Sequence, residues 1–166
     1  MFEIKTLLKY SLFGGIPEEQ IEKFIPLMSK ETYKPGDIII VEGTPNDRIL
    51  FILEGRVSII KGDTTIYDLA QGHTFGEMEV LDVMPCAATI KAVTDVTVMS
   101  ISNVSLREIY KIDIKSFSLL VMNLARDLSR RLRVANEIMV EGKMFDLYSS
   151  TLFMRHWTDD IGLTTD

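Results

Sequence analysis

Apolar positions fall into three textures along the chain. Over residues 1–30 they recur at helical spacing: Ile21, Phe24, Ile25 and Met28 line one stripe, Pro17 suits a first helical position, and Glu18 and Glu19 complement the positive end of a helix. From Tyr33 to Asn103 short β-branched runs take over, at Ile38–Val41, Ile49–Leu53, Val57–Ile60, Thr65–Tyr67, Thr89–Val93 and Val96–Ile101. Turn residues separate them, among them Pro35-Gly36-Asp37, Glu54-Gly55, Lys61-Gly62-Asp63 and Gln71-Gly72. Strands about ten residues apart with no helices between them predict an antiparallel sandwich or barrel. From Ser105 the helical period returns. Ser105 and Glu108 read as a capping box for a short helix ending near Lys111, and a long helix is expected from about Asp113 to at least Met139.

On that long helix Phe117, Val121, Leu124, Leu128, Arg131, Ala135 and Ile138 alternate by fours and threes, and Leu120, Leu132 and Met139 widen the stripe. About 25 residues make a rod of about 38 Å. That exceeds what a small barrel can cover, so part of the seam is expected to meet a second copy, making a homodimer through residues 113–139. Gly142 should interrupt the rod. The organisation read from this is one domain over residues 1–140 and a partly helical C-terminal tail over 141–166.

A length of 166 residues suits one domain with a full hydrophobic core, and 46% hydrophobic with 25% charged residues is ordinary for a folded chain. The net charge of -6 lacks the basic footprint of a nucleic-acid binder. A single cysteine builds no disulfide framework, and no apolar run approaches the ~18 residues of a membrane span. The N-terminus carries Glu3, Lys5 and Lys9 in place of a signal-peptide core. The expectation is a cytoplasmic protein that binds neither membrane nor nucleic acid. One cysteine and the scattered His73 and His156 offer no nucleophile–base pair and no metal cluster, with His73 expected to face solvent on its turn. An enzyme is not expected.

The segment with chemistry is Phe75-Gly76-Glu77-Met78-Glu79-Val80-Leu81, followed by Pro85-Cys86-Ala87-Ala88-Thr89-Ile90. It reads as a strand end, a glycine that lets a ligand approach the backbone, one acidic helical turn whose first amides point outward, and a return to strand. Glu77 is placed to accept hydrogen bonds from a hydroxyl-bearing ligand. Cys86 near such amides admits a second reading as a reactive thiol, against that of a small filler.

Order and spacing then add a resemblance. The runs Lys34-Pro35-Gly36-Asp37 to Glu42-Gly43, Ile49 to Glu54-Gly55-Arg56-Val57-Ser58-Ile59, Gly72-His73-Thr74-Phe75-Gly76-Glu77 and Pro85-Cys86-Ala87-Ala88-Thr89 are similar to the cyclic nucleotide-binding domain family. The long helix, with Leu128-Ser129-Arg130-Arg131-Leu132-Arg133-Val134-Ala135-Asn136-Glu137, resembles the dimerisation helix of its catabolite activator protein branch. The resemblance spans about residues 10–140. It implies a mainly β fold, an eight-stranded antiparallel jelly roll with an N-terminal helix and a long C-terminal helix, and a phosphate-binding cassette over residues 75–90.

It also implies site residues. Glu77 matches the glutamate that holds the ribose 2′-hydroxyl, and Gly76, Met78 and Ala87 can supply phosphate-binding amides beside Phe75. Where the family has a phosphate-binding arginine, this chain has Cys86. Where hydroxyl side chains of the long helix meet the base, it has Ala135 and Asn136. Losing a charge-assisted hydrogen bond of ~1.5–3 kcal/mol lowers affinity about ten- to a hundred-fold. Glu79 adds repulsion of up to ~4 kcal/mol for charges about 4 Å apart at an effective dielectric of about 20. Arg131 or Arg130 could substitute for the missing arginine. The competing expectation leaves both solvated, or paired with Glu77 across the dimer.

No helix-turn-helix domain is read after the long helix, whose following residues include Asp146, Asp159, Asp160 and Asp166. Two readings follow. One is a stand-alone sensor that takes a cyclic nucleotide (cAMP or cGMP) or a related small anion in a degenerate cassette and signals through the long helix to an unidentified protein partner. The other is a dimerisation or docking module that has lost ligand binding.

Overall fold

The computed structural model describes residues 4–141. Short helices α1 (Ile4–Leu7) and α2 (Glu18–Phe24), with 3-10 turns at Ser11–Phe13 and Ile25–Leu27, precede the strands β1 (Ser29–Tyr33), β2 (Ile38–Ile40), β3 (Arg48–Glu54), β4 (Arg56–Lys61), β5 (Thr64–Ala70) and β6 (Thr74–Phe75). Helix α3 (Glu77–Asp82) interrupts the sheet, β7 (Thr89–Ala92) and β8 (Val96–Ser102) complete it, and α4 (Asn103–Ile112) and α5 (Ile114–Glu141) follow. Every pairing is antiparallel, in two four-stranded sheets ordered β1-β8-β3-β6 and β2-β7-β4-β5. The mainly β jelly roll with flanking helices is as expected.

The continuous apolar runs of the sequence arise because one sheet is buried on both faces. In β3, Leu50 and Ile52 point into the roll with Val57, Leu69, Phe75, Val96 and Val98. Their neighbours Ile49 and Phe51 point the other way, into a second core with Met99 and Ile101 of β8, Phe13, Ile21, Phe24, Ile109, Leu120 and Leu124. Period-two alternation thus serves two cores at once. At the β3–β4 turn Gly55 has φ of 92°, and a Cβ there would lie 2.1 Å from the Asp95 carbonyl oxygen, so only glycine fits.

Sequence periodicity misses two strands and shifts one cap. β1 reads Ser-Lys-Glu-Thr-Tyr and carries no apolar alternation; its register against β8 and a polar cluster hold it. In that cluster Glu31 accepts from Ser100 Oγ at 2.6 Å and from Arg48 Nη1 at 2.8 Å. β6 is too short to show a period. The helix after β8 begins at Asn103, earlier than expected, because Ser102 and not Ser105 is its cap, accepting the Ser105 N–H at 3.1 Å.

Helix α5 starts behind Asp113, whose carboxylate accepts the Ser116 N–H at 3.0 Å. Its first half is covered by the molecule: Leu120 and Leu124 are buried, and Asn123 donates to the carbonyls of Leu12 and Gly14 at 3.1 and 2.9 Å. In the second half the cover thins: Arg131 is still enclosed, while Leu132 is 61% exposed. The expected break at Gly142, the tail over 142–166 and the Met139 side chain lie outside what is described.

Candidate functional site

Phe75 ends β6 with its ring in the roll core and fixes where the chain enters the cassette. Gly76 follows with φ of 73°; a Cβ there would sit 2.8 Å from the Arg48 carbonyl oxygen and 2.9 Å from Asn46 Nδ2. Asn46 Nδ2 donates to that carbonyl and to the carbonyl of Gly76, so the turn is braced from the β2–β3 loop. Glu77 then opens α3 with its side chain turned inward, only 2% exposed. Met78, next in line, is half exposed.

Arg131 of α5 meets Glu77. One guanidinium nitrogen pairs with Glu77 Oε1, and another donates to the Thr74 carbonyl at 3.2 Å. Asp127, one turn earlier on α5, lies 3.4 Å from Arg131 Nε and accepts from Thr74 Oγ1 at 3.5 Å. The expectation that Arg131 would be solvated, or would reach Glu77 across a dimer, is corrected: the pair forms within one chain, because α5 runs back along the roll past the start of α3. Burial pushes the Glu77 carboxyl above its ordinary range, with the Arg131 charge pulling the other way. Burial also opposes the Arg131 charge, yet Glu77 and Asp127 hold its pKa above the ordinary value. Glu77 Oε2 is buried and has no hydrogen-bond partner. A buried acceptor in that state suits the hydroxyl of a bound molecule.

Sequence reading missed three members of this cluster. His73 is not solvent-facing. It is partly buried near Asp127 and Arg131, and burial lowers its pKa. Tyr67 of β5 lies close enough to Arg131 and Glu77 to feel both, and burial raises its pKa. Asp127 had a signal, since it stands four residues before Arg131 on one helical face. His73 and Tyr67 had none, because only the β5–β6 turn brings them there.

The other end of the cassette has a different character. Cys86 is 3% exposed and packs in the roll core, with its N–H on the Thr44 carbonyl and its own carbonyl accepting the Gly43 N–H. Burial, then the Glu79 charge, raise its pKa, so it is a small filler and not an activated thiol. Ala87, exposed, donates its backbone N–H to Glu79 Oε1 at 3.1 Å, while its carbonyl accepts from Lys61 Nζ at 2.7 Å. Glu79 therefore satisfies an amide that the resemblance assigns to phosphate. Ala135 and Asn136 stand exposed on α5, about one turn past Arg131. The structure thus brings Phe75, Gly76, Glu77 and Arg131 together, and closes Cys86 and Ala87 around Glu79.

Among the described residues no group of His, Cys, Asp and Glu could hold a metal ion, and no helix is long and apolar enough to cross a membrane.

Known proteins are similar to this chain in sequence and fold. The chain is 29% identical over 91 residues to human cGMP-dependent protein kinase 2, covering 55% of this chain and 12% of the kinase. It is 28% identical over 130 residues to the cyclic AMP receptor protein of Thermus thermophilus, covering 75% of this chain and 58% of that one. The chain thus spans only part of the length of these relatives. Among solved structures, a cyclic nucleotide-binding domain from Methylobacillus flagellatus superposes with a TM-score of 0.76 at 24% identity, over 87% of this chain and 84% of that one. A mutant regulatory subunit of a cAMP-independent protein kinase A from Trypanosoma brucei gives 0.63 at 22% identity, over 74% and 44%. The regions matched belong to regulatory and sensory proteins, and the kinase is covered only in part. The family model of the cyclic nucleotide-binding domain matches residues 30–113, just over half of the chain, and the protein belongs to that family.

Proposed function

We propose that this chain is a regulatory domain that retains the hydroxyl-reading half of a nucleotide cassette and has filled the phosphate half with its own carboxylate. One observation carries this reading: Glu79 holds the Ala87 amide beside a cysteine, where a phosphate-binding cassette would present free amides and an arginine. A cyclic phosphate must displace Glu79 and then finds no cation. Glu77, oriented by Arg131 and with Oε2 unpartnered, supports recognition of a ligand hydroxyl at the other end. The domain is thereby uncoupled from cAMP and cGMP at micromolar concentration.

A relative supports this. The Trypanosoma brucei regulatory subunit belongs to a cAMP-independent kinase, and a mutant of it that exchanges a glutamate for alanine, a threonine for arginine and a valine for alanine is bound to cAMP. The altered glutamate and threonine are seven positions apart, as Glu79 and Cys86 are here. Output runs through α5, whose exposed Leu132 fits the second-copy contact expected for the long helix.

Calorimetric titration with cAMP and cGMP tests the reading. The natural chain should bind neither below millimolar, whereas Glu79→Ala/Cys86→Arg should gain about a hundred-fold or more, at ~1.5–3 kcal/mol for the restored charge-assisted contact plus relief of repulsion. Micromolar binding by the natural chain refutes the filled seat. A folded double variant that gains nothing favours the docking module without a ligand.

A further inference from the structure

Helix α3 runs directly into Val83 and Met84, which are 86% and 62% exposed. Val83 also holds φ of 61°, and among the described residues no other non-glycine has a positive φ. Its N–H closes α3 on the Glu79 carbonyl at 3.1 Å, in the left-handed position where glycine ordinarily stands. A β-branched residue is strained there, and at that exposure it packs little against its own chain. Strain kept at an exposed residue points to a contact outside the molecule. Beside this tip, between α3 and the α4–α5 pair, lies an open apolar groove of about 410 Å³. Leu81 of α3 forms one wall, Leu106 and Tyr110 of α4 another, and Phe117 and Val121 of α5 the floor, with Arg107 as an exposed cation lining it. An apolar concavity of this size left open to water favours a cover.

We infer that a second copy of this chain is that cover, in a two-fold contact where the Val83–Met84 tip of each protomer enters the groove of the other and Asp82 of each meets Arg107 of the other. The chain carries both halves of such a contact, an apolar projection and an apolar hollow. They adjoin at Leu81, which is in the groove wall and 50% exposed, so a single two-fold rotation engages both at once. The tip does not fill its own groove, since Val83 and Met84 both stand exposed.

Charge agrees. Asp82, exposed immediately before the tip, is a carboxylate, and the exposed cation of the groove is a guanidinium, so the two surfaces are opposite in sign where they would meet. The tip is also held in shape before any contact forms: the Val83 N–H is bound to Glu79, and Asp82 Oδ1 accepts the Met84 N–H at 3.0 Å. A projection already ordered loses little freedom on docking. This surface is separate from the α5 contact expected around Leu132, which does not line the groove. The inference is independent of what the cassette binds, although α3 is shared by both.

Sedimentation equilibrium of the full chain tests this. The natural chain should pass from monomer to dimer as its concentration rises. Asp82→Arg and Arg107→Asp should each weaken dimerisation about ten-fold or more, because a two-fold contact carries every substitution twice. An equimolar mixture of these two variants sets opposite charges together at both copies of the contact and should recover the natural affinity to within a few-fold. Val83→Gly, which relieves the backbone and removes the projecting side chain, should weaken dimerisation while the dilute monomer melts higher. A natural chain that stays monomeric up to its solubility limit overturns the proposal. Dimerisation that none of these variants changes also overturns it and assigns the second-copy contact to α5. Single-variant losses that mixing does not repair overturn the Asp82–Arg107 geometry, since a local folding defect is not mended by a second chain.

Discussion

Replacing Arg131 with methionine keeps much of the side chain's apolar stem and removes the charge that faces Glu77. Glu77, at 2% exposure, then cannot remain ionised without a partner, and breaking a buried pair from one side costs about 3–5 kcal/mol. Protonation caps that cost. Taking up a proton at pH 7 on a carboxyl whose ordinary pKa is 4.5 costs about 3.4 kcal/mol, at ~1.36 kcal/mol per unit. The lost hydrogen bond to the Thr74 carbonyl adds about 1 kcal/mol. At pH 5 the protonation cost falls below ~1 kcal/mol. The sign follows from linkage: a carboxyl raised in the fold favours the folded state at low pH, and that contribution is lost as pH rises through the folded value. Arg131→Met should therefore cost about 4 kcal/mol at pH 7 and about 2 kcal/mol at pH 5, read by urea denaturation of variant and natural chain at both pH values. Equal costs at the two pH values, or a cost under ~1 kcal/mol at pH 7, would refute a buried and dependent Glu77.

Three further outcomes are expected. Asn123→Ala leaves the Leu12 and Gly14 carbonyls without their donor and should lower stability by about 1–3 kcal/mol, with faster amide exchange confined at first to residues 4–16. Val83 holds φ of 61° at 86% exposure, a strained conformation for a β-branched residue, so Val83→Gly should stabilise by about 1 kcal/mol and raise the melting temperature by about 2–4 °C. His73 is favoured neutral in the fold, so its contribution is present above its ordinary pKa of 6.5 and lost as pH falls below that value. The fall in melting temperature between pH 7.5 and 5.5 should shrink in His73→Gln, and an unchanged fall would count against a buried neutral imidazole.

The fold was legible where burial is one-sided or complete. The strands β2–β5, β7 and β8 stood out because their β-branched runs serve one or both cores, and α5 because its stripe is long. β1 escaped because its stabilising groups, Glu31 with Ser100 and Arg48, are polar and far apart in sequence. In the cassette Gly76 and Glu77 were legible as a turn with a carboxylate placed to meet a ligand hydroxyl, and its burial was not. The effect of Glu79 was read as repulsion alone, whereas folding also gives it the Ala87 amide. The Arg131 partnership depended on the path of α5 along the roll, which periodicity does not encode.

Asn123 and Arg131 fasten α5 to the body at two points eight residues apart, one on the N-terminal segment and one at the mouth of the cassette. A helix riveted twice cannot spin about its own axis or slide lengthwise without tearing one fastening. On the proposed reading, a message leaving the cassette travels by unseating Arg131 or through the helix beyond it, which points to the stretch after Arg131 as the place where a receiver would listen.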